Sequence, residues 1–187
     1  KAQFPIAREA SGRVNIGFYA GRTHQIVDTD TCYIQDAIND VLIKKVREFI
    51  EKYDIGTYDE NTHQGLVRHI LTRIGFTTKE IMVCLVINGR ELPYANELVE
   101  SLREVPGMTS ISININRDKT NKILGEYCTT LWGQDYITDY IGDVKYQISP
   151  LSFTPINKLP PLEFKKPAIV FIITNGCFTK SALLLPA

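Results

Sequence analysis

The sequence has no run of about 18 apolar residues, the length a helix needs to cross a bilayer, so it offers no membrane-spanning helix. It has no excess charge of either sign: 21 Lys and Arg stand against 21 Asp and Glu. That excludes a uniformly basic nucleic-acid coat, though a zero total still permits a local patch. It has no glycine-rich phosphate loop. Gly17, Gly21, Gly75, Gly125, Gly133 and Gly142 form neither a GxGxxG nor a Walker pattern, so there is no self-evident dinucleotide, ATP or S-adenosylmethionine pocket. Cysteines are few, and Cys32, Cys84, Cys128 and Cys177 are never two to four residues apart, which leaves no chelating pair. His63 and His69 also lack a ligand spacing. The opening, Lys1 to Ala10, carries Pro5, Arg8 and Glu9 and no long apolar core, so it does not read as a signal peptide. Without an initiator Met, the sequence reads as a piece of a longer chain or a processed one. Reduced thiols and a cytoplasmic location are the matching expectation. Internal repeats and low-complexity tracts are absent, and the 9 Pro and 12 Gly are spread in a way that excludes a long coiled coil.

What is present describes an ordinary globular chain: 187 residues, 44% hydrophobic and 22% charged, enough for one domain or one domain with an appendage. Residues 14–20 and 25–28 read as short strands around a turn at Gly21-Arg22-Thr23-His24. Ile34, Ile38, Val41, Leu42, Val46, Phe49 and Ile50 recur at three- and four-residue steps, which predicts a helix over 33–53 with Asp30 or Thr31 as N-cap. Residues 66–75 and 80–88 read as a hairpin of two strands. The run Met82 to Ile87 is continuously apolar, as in a central strand covered on both faces. A short amphipathic helix follows over 94–105, stopped by Pro106-Gly107. The alternation of 109–116 predicts a strand with one apolar face, and further strands are expected over 127–132, 136–141 and 144–148. The class is α+β, with a ferredoxin-like β-α-β-β-α-β core and additional antiparallel strands.

The residues that could carry chemistry have bland readings beside the functional ones. Lys1, Arg8, Arg13 and Arg22 stand against Glu9 alone, interleaved with Phe18 and Tyr19. That composition suits phosphate contact and base stacking, and equally an edge hairpin with solvated charges. Arg68, on a strand, offers a planar fork for phosphate or for an acidic neighbour across the sheet. Cys84 and Cys128 read as inert core thiols. Cys32, at a loop-to-helix entry, is better placed for a depressed pKa, and an independent thiol enzyme would use Cys32 or Cys177.

Several runs occur together in order: Gly17-Phe18-Tyr19-Ala20 with Arg22, His24 and Ile26-Val27-Asp28; Asp30-Thr31-Cys32; Gly65-Leu66-Val67-Arg68-His69-Ile70; Asn116-Arg117-Asp118-Lys119-Thr120-Asn121; Leu131-Trp132-Gly133; Ile141-Gly142-Asp143; and Ile148-Ser149-Pro150-Leu151-Ser152-Phe153. This succession resembles the RNA (uracil-5-)-methyltransferase family, most closely the bacterial 23S rRNA uridine type, over residues 1–157. Residues 158–187, rich in Pro and Lys, read as a divergent tail.

The resemblance implies a central α/β domain taken from a longer, three-part enzyme. It implies RNA, specifically 23S rRNA, as partner, with Lys1, Arg22, His24, Arg68, His69, Phe153 and Asn157 as the candidate contacts. S-adenosylmethionine would serve the whole enzyme, and no cofactor is expected for this chain. Cys32 matches one family iron–sulfur ligand, which alone cannot hold a cluster that needs about four. Phe153 and Asn157 match the family's Phe-x-Gln-x-Asn, but Pro155 replaces the Gln. The nucleophile segment, the catalytic Glu and the donor-binding motif have no counterpart, so the chain is expected to contact RNA and to be inactive alone. The other reading is a non-catalytic module that self-associates, as a homodimer, through its C-terminal tail.

Overall fold

The computed structural model describes residues 1–9, 11–21, 25–28 and 35–152, and the backbone of 173–174 and 177–178. A seven-stranded sheet forms the frame. Its strands are β1 (Ala2–Arg8), β2 (Val14–Tyr19), β3 (Ile26–Asp28), β4 (Val67–Ile74), β5 (Ile81–Ile87), β6 (Met108–Ile115) and β7 (Tyr127–Gly133), in spatial order β3-β2-β1-β4-β5-β6-β7. Only β5 and β6 run parallel; the other pairs are antiparallel. The helix α1 (Ile38–Lys52) precedes β4, and α2 (Ala95–Arg103) makes the crossover between β5 and β6. A separate hairpin, β8 (Ile137–Ile141) with β9 (Val144–Ile148), follows the sheet. Two further two-residue strands, β10 (Ile173–Thr174) and β11 (Cys177–Phe178), pair antiparallel. Among the described residues no helix is long and apolar enough to cross a membrane.

Both helices lie on one face of the sheet. Leu42, Val46, Phe49 and Ile50 of α1 and Leu98 and Leu102 of α2 share a core with Phe4, Ile16, Ile70, Val83, Leu85 and Ile113. Burial of such side chains contributes about 1.5–3 kcal/mol each before chain entropy is counted. One polar bridge crosses that core: the Thr72 hydroxyl donates to Asn39 Oδ1 at 2.7 Å, and both residues are buried. The predicted N-caps Asp30 and Thr31 lie outside the described residues. At Ile38 the backbone N–H instead meets Asp36 Oδ1, at 3.1 Å.

The other face of the sheet is also buried, and it mixes polar side chains with the apolar Leu71, Met82, Cys84 and Val86. His69, Arg73, Ser110, Ser112 and Asn114 are all under 9% exposed. The β8–β9 hairpin covers part of it, with Ile137 and Ile148 packed on Met82. Asp139 accepts the N–H groups of Phe76 and Thr77 at 2.7 and 2.9 Å, and Glu80 accepts that of Thr138 at 2.6 Å. Arg73 donates to the carbonyls of Pro150 and Ser152.

The α+β class and the mixed sheet agree with the sequence reading, whereas the ferredoxin-like order does not match this topology. In that split arrangement a strand separates the two strands joined by each helix. Here β5 and β6, joined by α2, are direct neighbours. Within the seven-stranded sheet the strand not anticipated is β1, which enters between β2 and β4. Pro5 argues against a strand interior, since it donates no ladder hydrogen bond, yet it sits opposite His69 in the β1–β4 pair.

Candidate nucleic-acid interface

The site is built from a kink in β4. Val67 pairs with Ile87 and His69 with Val86, so Arg68 is the extra residue of a β-bulge. A bulge redirects its side chain out of the regular alternation. Arg68 is 5% exposed, and its guanidinium is committed to backbone carbonyls: Nη1 donates to Asn116 O at 3.0 Å and Asp118 O at 2.8 Å, and Nη2 to Thr120 O at 3.5 Å. The plane lies over the Tyr58 ring, 4.2 Å from its centroid, a cation–π contact. The Tyr58 hydroxyl shares a 2.8 Å hydrogen bond with His63 Nδ1.

The segment so held is the loop after β6. Asn116 fixes it from within: its amide nitrogen donates to Lys122 O at 2.6 Å and Ile123 O at 2.9 Å, and its Oδ1 accepts Asp118 N at 3.1 Å. Below it, Asn114 Oδ1 accepts Gly125 N at 2.7 Å. Gly125 is needed there, because a Cβ would stand 1.8 Å from Ile115 O. The result is a braced turn whose residues 117–122 are all exposed. It carries Arg117, Lys119 and Lys122 against Asp118. Two runs singled out from the sequence, around Gly65–Ile70 and Asn116–Asn121, thus meet through one side chain.

Arg68 and His69 therefore do not stand open to solvent as phosphate forks. His69 is 6% exposed and its Nδ1 has no hydrogen-bond partner among the described residues. Burial, followed by the neighbouring Arg68 charge, pushes its pKa down to about 4, so the ring is neutral at pH 7. Lys1 is exposed but lies toward the opposite end of β4, where its neighbour Ala2 pairs with Thr72. Burial and the Arg73 charge lower its pKa. Of the N-terminal cations, Arg8 pairs with Asp54 at 3.3 Å and Arg13 with Asp28 at 2.6 Å. Asp28 also receives Arg47 at 2.5 Å. Arg22, His24, Cys32, Phe153 and Asn157 lie outside the described residues.

Sequence reasoning missed the environment of Cys128. Asn114 Nδ2 donates to its sulfur at 3.2 Å. The Cys84 thiol and this amide draw the Cys128 pKa down to about 7, while the Cys84 thiol is held up. Two sulfurs do not meet the need of an iron–sulfur cluster for about four, and among the described residues no group of three His, Cys, Asp or Glu could hold a metal.

No family model matches the chain. An RNA methyltransferase of Clostridium tetani is 47% identical over 160 residues, 85% of this chain and 35% of its own length. One from Clostridium acetobutylicum is 40% identical over 177 residues, 94% of this chain and 38% of its own. Among solved structures, the Pyrococcus abyssi tRNA (uracil-54, C5)-methyltransferase in complex with S-adenosyl-L-homocysteine superposes with a TM-score of 0.65 at 28% identity, over 81% of this chain and 35% of that one. The matched region is thus one shared by enzymes that methylate RNA. The chain belongs to the RNA methyltransferase family, and it spans little more than a third of the length of these curated relatives.

Proposed function

We propose that the chain is the RNA-handling part of an S-adenosylmethionine-dependent RNA uracil-C5 methyltransferase whose substrate is 23S rRNA. The observation that carries this reading is the superposition on a uracil-C5 methyltransferase, together with 47% identity to an RNA methyltransferase. Methylation at C5 of uracil takes a thiolate that adds to C6 and a base that removes the C5 proton. The sequence carries no Ser-Cys-Asn-Pro segment for that thiolate. In this reading the 187 residues bind and orient RNA and do not transfer methyl groups by themselves.

The contacts expected from the sequence, Lys1, Arg22, His24, Phe153 and Asn157, would line the RNA path. Arg68 and His69 would support it from inside. The test has two arms. A full-length relative of this type is assayed with labelled methyl donor on 23S rRNA and tRNA transcripts, and 5-methyluridine is mapped by mass spectrometry. The 187-residue chain is assayed in parallel. Methylation of 23S rRNA by the full-length enzyme, and none by the chain, is expected. Modification of tRNA alone would refute the 23S assignment, and methyl transfer by the chain would refute the division of labour.

A further inference from the structure

We propose that the braced loop 117–122 is a binding site for the RNA sugar-phosphate backbone, with Arg117, Lys119 and Lys122 as its contacts and Arg68 as the residue that positions them. The site deepens the RNA-handling reading and rests on it.

Three observations carry the assignment. First, charge is concentrated there. The chain as a whole is neutral, yet six consecutive exposed residues hold three cations and one acid. Phosphate contacts dominate RNA affinity and ask for such a local excess. Second, the cations stand on a fixed support. Loop backbone is ordinarily the adaptable part of a protein. Here three of its carbonyls, those of Asp118, Thr120 and Lys122, and that of Asn116 just before it, accept hydrogen bonds from Arg68 or Asn116. A loop already held in one conformation has less ordering cost to meet on binding.

Third, Arg68 is unusual for a buried cation. Its hydrogen bonds go to neutral carbonyls, and its other described contact is the face of Tyr58. Buried charges are ordinarily paired. A positive charge held behind the loop by neutral acceptors strengthens the attraction of the outer face for an anion, where a carboxylate partner would cancel it. An apolar residue would fill the space without this field and would leave the carbonyls bare.

The experiment is a filter-binding titration of the 187-residue chain against a 23S rRNA hairpin transcript over a range of salt. The variants are the surface triple Arg117→Gln, Lys119→Gln, Lys122→Gln, and separately Arg68→Lys. Circular dichroism melts confirm folding. The triple variant is expected to lose about ten- to a hundredfold in affinity at low salt. Its slope of log affinity against log salt is expected to fall by about two units, since each phosphate neutralised on single-stranded RNA contributes about 0.7. Arg68→Lys keeps the charge and loses the fork. It is expected to weaken binding severalfold with the slope unchanged, a split that separates positioning from direct phosphate binding. If the wild-type chain binds and the triple variant binds equally well with the same slope, the site is overturned while the RNA reading stands. If the wild-type chain fails to bind at low salt, the RNA reading itself falls.

Discussion

Asn114 on β6 aims an amide hydrogen at the Cys128 sulfur on β7, 3.2 Å away, and its own position is set by Gly125, whose N–H donates to Asn114 Oδ1. A thiol that accepts such a bond, and a second from Cys84, favours its thiolate. Cys128 is half-buried and within reach of reagents, whereas Cys84 is fully enclosed. Peptide-resolved alkylation between pH 6 and 9 should show Cys128 reacting with a midpoint near pH 7 while Cys84 stays unmodified. Asn114→Leu should move the Cys128 midpoint up. A midpoint at or above pH 8.5 in the unmodified chain would contradict the hydrogen-bonded arrangement.

His69 makes stability depend on pH. Its folded pKa, about 4, lies below the ordinary 6.5, so the unfolded chain binds the proton more readily. Above pH 6.5 the ring is neutral in both states and unfolding takes up no proton there. As pH falls from about 6.5 to about 4, unfolding gains a proton and stability is lost, by up to about 3 kcal/mol. Urea unfolding at pH 7.5, 5.5 and 4.5 should show this decline. His69→Phe should flatten it over that window, and an equal decline in the variant would assign the effect elsewhere.

Asp139 ties the β8–β9 hairpin to the β4–β5 turn. Burial alone would raise its pKa, but the N–H groups of Thr77, Phe76 and Tyr140 and the Tyr146 hydroxyl together hold it below the usual carboxylate range. Asp139→Ala leaves two turn N–H groups without their acceptor. It should cost about 3 kcal/mol, at about 1.5 kcal/mol for each bond to a charged group. Hydrogen exchange should show the hairpin and residues 76–80 opening first, with α1 unaffected. Uniform loss of protection over the whole sheet would instead mean that the hairpin and sheet unfold as one unit.

Gly65 lies in a left-handed conformation, φ +92°, and a Cβ there would stand 2.0 Å from Thr57 O. Gly65→Ala should therefore destabilise by well over about 1 kcal/mol, and the strain falls on the segment that brings Tyr58 under Arg68. Thermal melts would read the loss. A variant melting at the same temperature as the parent would show that the segment relaxes freely.

Much of the scaffold was legible because it rests on periodicity. The apolar steps of α1 and the continuous run of β5 are signals that burial imposes directly, and both elements stand where they were expected, with α1 shorter in the described residues. The alternation of β6 predicts one apolar face and says nothing of what covers the other, because alternation reports polarity, not coverage. Ser110, Ser112 and Asn114 are buried all the same. The position of β1 was hidden by Pro5 and by a pairing with a strand more than sixty residues away in sequence. The role of Arg68 was hidden for a different reason. A bulge is a property of two strands in register, and neither sequence alone says which residue will be the extra one. The motifs named the residues that meet, but only the fold says that one of them holds the other in place.

The order of the strands has a consequence for assembly. Ala2 pairs with Thr72, so the first strand waits for about seventy more residues to leave the ribosome, roughly 4–14 s at ordinary synthesis rates. During that interval the β1–β2 hairpin presents a bare edge, and its permanent neighbour does not yet exist. A growing chain of this kind needs shelter for that edge, and closure of the sheet is the event that ends the need.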